Sequence, residues 1–396
     1  WDRLLTRKRG PSSPSVSRMI RAFSREKHEE ERFAGANRDL MKNQLFTNRV
    51  MTIMMPAMML IMNGITVLIV WSGAHGIELG NLQVGDMMAF ITYTMQIIMS
   101  FLMLTMISVM LPRAAVSANR INEVIETDVS ISDKENASEN AITEGRVCFD
   151  DVSFRYGDAD ADVLEHISFT AEPGQTTAVI GSTGSGKSTL INLIPRFFDV
   201  TSGKITVDGT DVRDMSQKHL RSKIGLVPQK GVLFSGTIAT NLRFGNKNAT
   251  DAEIAEAAEI AQATEFIESK PERYETPVAQ GGTNVSGGQK QRLSIARAIA
   301  KKPKIYIFDD SFSALDFKTD AALRKALSEK LGDSTVLIVA QRISTIINAE
   351  KIIVLDDGKI AGIGTHKELM ENCDVYRQIA YSQLSEAELN GSKEGE

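Results

Sequence analysis

Two stretches of this sequence run without a formal charge, Val50 to Trp71 over 22 residues and Met87 to Pro112 over 26. At a rise of 1.5 Å per residue, about 20 apolar residues cross the hydrocarbon core of a bilayer, so each stretch is long enough to span it. A buried helix of a soluble core is the plainer alternative, and the length argues against it. The flanks set an orientation. Arg38, Lys42 and Arg49 precede the first stretch and Arg113 and Arg120 follow the second, whereas the connector Ser72 to Asp86 has no Lys or Arg. The excess of cationic residues on cytoplasmic flanks then places that connector outside and both ends of the chain in the cytoplasm. The expected setting is a multi-pass integral membrane protein, of the plasma membrane, in contact with lipid.

Composition follows the same partition. Thirteen of the 17 methionines fall between Met51 and Met110, and the net charge of −5 belongs to the polar remainder. Met95, Met99, Met103, Met106 and Met110 recur at helical spacing beside a polar stripe of Thr92, Gln96 and Ser100. Flexible thioethers suit a promiscuous binding face, and packing against lipid or another helix is the plainer alternative. The two cysteines, Cys148 and Cys373, lie in the cytoplasmic part and suggest no disulfide framework. The five histidines are scattered, with no spacing that would hold a transition metal.

The remainder carries phosphate chemistry. Gly181-Ser182-Thr183-Gly184-Ser185-Gly186-Lys187-Ser188-Thr189 follows the apolar run Thr177 to Ile180 and precedes Leu190-Ile-Asn-Leu-Ile. Strand, glycine loop and helix form the context in which such a match is credible. Glycines let backbone N–H groups turn toward an anion, and the helix start adds the positive end of its dipole. Lys187 would reach the β- and γ-phosphates of ATP, and the Ser188 hydroxyl would ligate Mg²⁺. Lys304 to Phe308 is a short apolar strand pattern ending in Asp309, which places a carboxylate at the carboxyl end of a strand, where open α/β sheets bind ligands. Asp309 is the second expected Mg²⁺ anchor. A further phosphate-binding helix start appears at Asn284-Val285-Ser286-Gly287-Gly288-Gln289, and one chain cannot fold both onto one nucleotide.

On these residues the chain resembles the ABC transporter family, in order through its whole C-terminal part. The resemblance implies that Tyr156, 25 residues before Gly181, stacks on adenine, and that Gln229 in Val-Pro-Gln-Lys senses Mg²⁺ and faces the membrane domain. It makes Ser286, Gly287, Gly288 and Gln289 the signature that holds a partner chain's ATP, with Val285 where leucine is usual. Ser313-Ala-Leu-Asp316 resembles the loop that crosses the dimer interface, and His366 resembles a structural turn residue. The charge-rich segment 17–49 is expected to be a cytoplasmic helix continuous with the first span. The two spans are similar to the fifth and sixth of six in ABC exporters, so the chain reads as an N-terminally truncated exporter half, with no function assigned to residues 1–16.

Two catalytic positions also depart from the pattern. Where the family has a glutamate that polarises water stands Asp310, and where it has a switch histidine on the γ-phosphate stands Gln341. Asp310 is one methylene short, and an amide cannot become cationic or relay a proton. The pair implies a hydrolysis-impaired ATP site in a chain whose intact signature serves a partner: a heterodimeric, multidrug-type exporter subunit moving an unidentified substrate. The alternatives are a homodimer with two slow sites, a soluble ABC ATPase, and an ATP-gated channel or regulatory subunit. No nucleic-acid partner is expected.

The expected organisation is a partial all-α transmembrane domain over 1–126, with spans at 50–71 and 87–112, and a hinge-like linker over 127–144. An α/β P-loop ABC ATPase domain with a helical signature subdomain follows over 145–384, then a disordered tail over 385–396.

Overall fold

The computed structural model describes residues 19–139, 142–157 and 159–383. The segment 1–16 and the tail 385–396 lie outside the described residues. The chain divides into two units between Asp128 and Val129.

The first unit is built on two long helices, Glu26–Glu78 of 53 residues and Val84–Ile125 of 42. At 1.5 Å per residue they are about 80 and 63 Å long, well beyond a bilayer core of about 30 Å. Both are long and apolar enough to cross a membrane, and none of the apolar segment of either is buried inside the protein. Leu60, Trp71, Phe101 and Leu104 all face outward, as lipid-facing side chains would. The hydroxyls of Thr52, Thr66, Thr92, Thr94, Ser100, Thr105 and Ser108 each donate to the carbonyl four residues back. No polar hydrogen among them needs a partner from the lipid.

Two local expectations change here. The helix expected over 17–49 is interrupted at Phe23 to Arg25, where Ser24 takes a left-handed φ of 50°, and continuous helix begins at Glu26. The connector expected over Ser72 to Asp86 shrinks to Leu79–Gln83, because the first helix continues past its apolar segment to Glu78. Loss of apolar character ends a span without ending a helix. Two glycines admit the close approach beside this turn. A Cβ on Gly73 would sit 2.8 Å from Met87 Cγ, and one on Gly76 3.2 Å from Leu82 Cδ1.

Among its described residues the second unit has three sheets. Strands β1 (Val147–Phe154), β2 (Leu164–Ala171), β4 (Ser202–Val207) and β5 (Thr210–Asp211) form an antiparallel sheet in the order β2-β1-β4-β5. The central sheet runs β12-β11-β3-β10-β9-β6, with β3 (Thr176–Gly181), β6 (Ile224–Val227), β9 (Ile305–Asp309), β10 (Thr335–Val339) and β11 (Lys351–Asp356) parallel and β12 (Lys359–Gly364) antiparallel at one edge. The short pair β7 (Gly236–Thr237) and β8 (Pro277–Val278) lies among the helices Ile238–Leu242, Asp251–Ile260, Thr264–Glu268 and Gly287–Ala300.

Period-two alternation explains how the central sheet is buried on both faces. Ala178, Ile180, Tyr306, Phe308, Ile338 and Val354 enter one core with the signature helix, while Val179, Ile307, Leu337, Val339 and Ile353 enter a second with β1 and β2. Strands β3, β9 and β10 are thereby locked in register, and their carboxyl ends come out side by side.

The 127–144 stretch is not a free hinge over most of its length, because described residues along it from 131 onward, already part of the second unit, are bonded to the rest of that unit. Arg196, whose side chain is 5% exposed, donates to Ser132 O at 3.2 Å and pairs with Asp199 at 2.7 Å. Gln217 N donates to Asp133 Oδ1 at 3.0 Å, and Ser138 N donates to Asp214 O at 2.6 Å. Farther on, the backbone N–H groups of Thr143, Glu144, Gly145 and Arg146 converge on the Asp208 carboxylate at 2.7–3.1 Å. A polar composition signals a hinge only when its polar groups face water, and here many of them face partners.

Candidate nucleotide site

The phosphate loop joins β3 to the helix Lys187–Leu193. Gly184 and Gly186 have φ of 89° and 94°, which a residue with a Cβ adopts only under strain. Gly181 has a second reason to be glycine, since a Cβ there would lie 2.1 Å from Leu355 O on the neighbouring strand. The Lys187 ammonium folds back over the loop, donating to Gly181 O at 2.9 Å, Ser182 O at 2.5 Å and Ser185 Oγ at 3.3 Å. Burial pulls the Lys187 pKa down, against the opposing fields of Asp310 and Asp309.

Ser188 is on the first turn of the same helix, and its hydroxyl donates to Asp309 Oδ1 at 3.0 Å. Asp309 ends β9, so the register β3–β10–β9 carries its carboxylate to the loop. Burial raises its pKa and the neighbouring Asp310 charge adds to that, while the Ser188 bond opposes both. Two hard oxygen donors in contact, with a second carboxylate adjacent, fit an octahedral divalent cation such as Mg²⁺ better than any softer metal. Among the described residues there is no cluster of three or more His, Cys, Asp or Glu that would suggest another metal site.

Tyr156 lies just beyond β1 and is 37% exposed. Its ring packs edge-on against Phe154 at 4.8 Å and Phe198 at 5.2 Å, and its hydroxyl is 3.1 Å from Thr189 Oγ1 on the phosphate-loop helix. An open ring face tied to that helix can stack on a planar base.

Asp310 is 8% exposed and adopts a left-handed φ of 45°. Its Oδ2 accepts two amide hydrogen bonds, from Gln341 Nε2 at 2.9 Å and from Gln229 Nε2 at 3.3 Å. Its own carbonyl accepts from the Ser313 hydroxyl at 2.9 Å. Phosphate loop, Asp309, Asp310, Gln229 and Gln341 therefore form one continuous site.

Ser286 to Gln289 stand apart from it. Ser286 caps the helix Gly287–Ala300 in a reciprocal box, Gln289 N donating to Ser286 Oγ at 3.3 Å and Ser286 N to Gln289 Oε1 at 3.2 Å. Among the described residues no hydrogen bond joins these four to the phosphate loop. A Cβ on Gly288 would lie 3.4 Å from Ala314 O, so the signature does abut the Ser313–Asp316 turn. His366 opens the helix His366–Asn372, with its Nδ1 2.7 Å from the Tyr376 hydroxyl, away from the phosphate loop.

Sequence reasoning missed Gln383. Its Nε2 donates to Gln341 O at 2.8 Å and its Oε1 accepts from Ile343 N at 2.9 Å, and only the fold brings these residues together, since they are 42 and 40 positions apart.

Residues 164–313 match the family described as ABC transporter, and residues 17–101 match the ABC transporter transmembrane region. An uncharacterized ABC transporter ATP-binding protein of Mycobacterium tuberculosis is 46% identical over 379 residues, which is 94% of this chain and 65% of that protein. A Bacillus subtilis ATP-binding/permease protein, YgaD, whose name proposes multidrug export, is 38% identical over 361 residues, covering 91% of this chain and 62% of that one. The solved structure of a bacterial Atm1-family ABC exporter with ATP bound is similar at a TM-score of 0.81 and 33% identity, over 93% of this chain and 65% of its own. The chain thus spans slightly less than two thirds of the length of these relatives.

Proposed function

Since the chain belongs to the ABC transporter family, with a transmembrane region fused to an ABC ATPase domain, we propose that it is one half of an ATP-driven exporter with a hydrolysis-impaired nucleotide site of its own. Its intact signature serves the nucleotide of a second half-transporter, which supplies a glutamate and a histidine to the working site.

In the bound state the phosphate-loop N–H groups and Lys187 hold the β- and γ-phosphates and Tyr156 stacks on the base. Ser188 and Asp309 would hold Mg²⁺, which neutralises phosphate charge when bound. Gln229, which donates to Asp310 Oδ2, would sense that cation, and Ser286, Gly287, Gly288 and Gln289 face the partner's ATP. The substrate crosses along the membrane helices, with the 79–83 turn outside.

The observation that carries the impairment is the double amide bond on Asp310 Oδ2. A carboxylate that is already one methylene short, and whose oxygen is engaged by Gln229 and Gln341, is poorly placed to take a proton from water. A misplacement of about 1 Å can cost roughly 10²-fold in rate. Restoring both family residues, Asp310→Glu with Gln341→His, should raise turnover at this site at least about tenfold on that scale. Unchanged turnover in the double variant would contradict the reading.

A further inference from the structure

The loop after β10 carries Gln341, and its backbone is held from outside. The helix Ile343–Ile346 has no side-chain cap from its own N-cap residue, Arg342. Its first N–H is satisfied instead by Gln383 Oε1 at 2.9 Å, while Gln383 Nε2 donates to the Gln341 carbonyl at 2.8 Å. A neighbouring donor and a neighbouring acceptor fix which end of the Gln383 amide points where. The two bonds close on both sides of Arg342, so the Gln341 backbone cannot turn without breaking one of them. Gln383 is the last residue of the helix Asp374–Gln383, which buries Tyr376 and Ala380 in the same core as Ile343 and Ile346.

We propose that Gln383 is a positioning residue for Gln341: its bidentate clamp sets where the Gln341 side chain can reach, and so how well this site distinguishes a nucleotide with a γ-phosphate from one without. The Gln341 amide donates to Asp310 Oδ2 in the structure and would turn one of its two N–H groups to the γ-phosphate when a triphosphate is bound. The exchange requires a fixed backbone, since a side chain that pivots on a loose loop spends its binding energy on ordering. A diphosphate does not reach this position and is insensitive to it. The inference rests on the proposed contact between Gln341 and the γ-phosphate.

The test uses the full chain purified in detergent, with Mg-AMP-PNP and Mg-ADP affinities measured by titration calorimetry for the parent, Gln383→Leu, Gln383→Glu and Gln341→Ala. Gln383→Leu should weaken AMP-PNP about fivefold and leave ADP within about twofold, a loss on the scale of one or two neutral hydrogen bonds. Gln383→Glu keeps an acceptor for Ile343 N but opposes the Gln341 carbonyl with a second acceptor, so it should show the same selective loss even if the leucine variant folds poorly. Equal losses for both nucleotides, or no loss for either, overturn the proposal while leaving the γ-phosphate contact standing, provided Gln341→Ala lowers AMP-PNP affinity selectively. If Gln341→Ala itself leaves the AMP-PNP to ADP ratio unchanged, the contact is wrong and the proposal falls with it.

Discussion

The Gln341 side-chain amide donates to Asp310 Oδ2 at 2.9 Å, so the two residues that depart from the family pattern are each other's partner. Their fit is mutual. An amide next to a carboxylate makes a stable neutral-to-ion hydrogen bond without needing a proton. A single reversal would therefore disturb a satisfied pair, which is why the double reversal is the informative variant.

Nucleotide binding should depend on Lys187 more than on any other side chain of the site. Lys187→Ala removes the cation folded over the loop and leaves Gly181 O and Ser182 O without their Lys187 donor. Photolabelling with an azido-ATP analogue should fall at least about tenfold, since bonds to charged groups are the strong ones. Undiminished labelling would contradict the assignment of the phosphate loop.

The short turn between the membrane helices should be reachable from outside. Asn81 is the better position for a reporter than Gly80, whose φ of 73° disfavours any side chain. Asn81→Cys, in a background without Cys148 and Cys373, should react with an impermeant thiol reagent on intact cells. Reaction only after lysis would reverse the orientation drawn from Arg38, Lys42, Arg49, Arg113 and Arg120.

Stability should fall on the acid side through His366. Burial holds its pKa below the ordinary value, and its Nδ1 is hydrogen-bonded to Tyr376. A depressed folded pKa means that the unfolded chain takes up the proton first. The contribution is therefore complete above the unfolded value of about 6.5 and is lost as pH drops through the folded one. The melting temperature of His366→Gln should show a shallower decline between about pH 7 and pH 5 than the parent. Parallel profiles would exclude this histidine as the cause.

The tether to the ATPase unit should depend on Arg196. Its guanidinium is buried among Asp199, Ser132 O and Arg213 O, and Arg196→Ala would strand those acceptors. We expect a loss of about 2–3 kcal/mol in denaturant unfolding, in the range for hydrogen bonds to a charged group. Hydrogen exchange at Ser138, whose N–H donates to Asp214 O, should also rise. Unchanged protection at Ser138 would mean that the segment is held by other contacts.

The parts of this molecule that were legible in the sequence are those whose signal is local. The runs around Val179, Ile307 and Leu337 announce strands by apolar content, and Gly184 and Gly186 announce a loop by their spacing before Lys187. Asp309 could be placed beside Ser188 because strand ends in parallel sheets are shared ground. What was not legible depends on partners far apart in the chain. Asp208 gathers N–H groups some 62–65 positions away, Gln383 clamps a loop 40 positions earlier, and Gln229 meets Asp310 across 81. A polar segment such as 131–139 looks like a hinge until the buried Arg196 that fastens it is seen. The extent of the membrane helices was hidden for another reason: charge marks where hydrocarbon ends, and hydrogen bonding marks where a helix ends.

The proposed asymmetry of two ATP sites is tested most directly by measuring ATPase turnover of the purified transporter complex carrying Asp310→Ala or Ser286→Arg. On the proposed asymmetry, Asp310→Ala removes little from the working site and should leave most of the activity. Ser286→Arg places a bulky cation where the signature is proposed to meet the partner's nucleotide and should remove it. Loss of turnover in Asp310→Ala would contradict the account, because the site proposed to be impaired would then be the one at work.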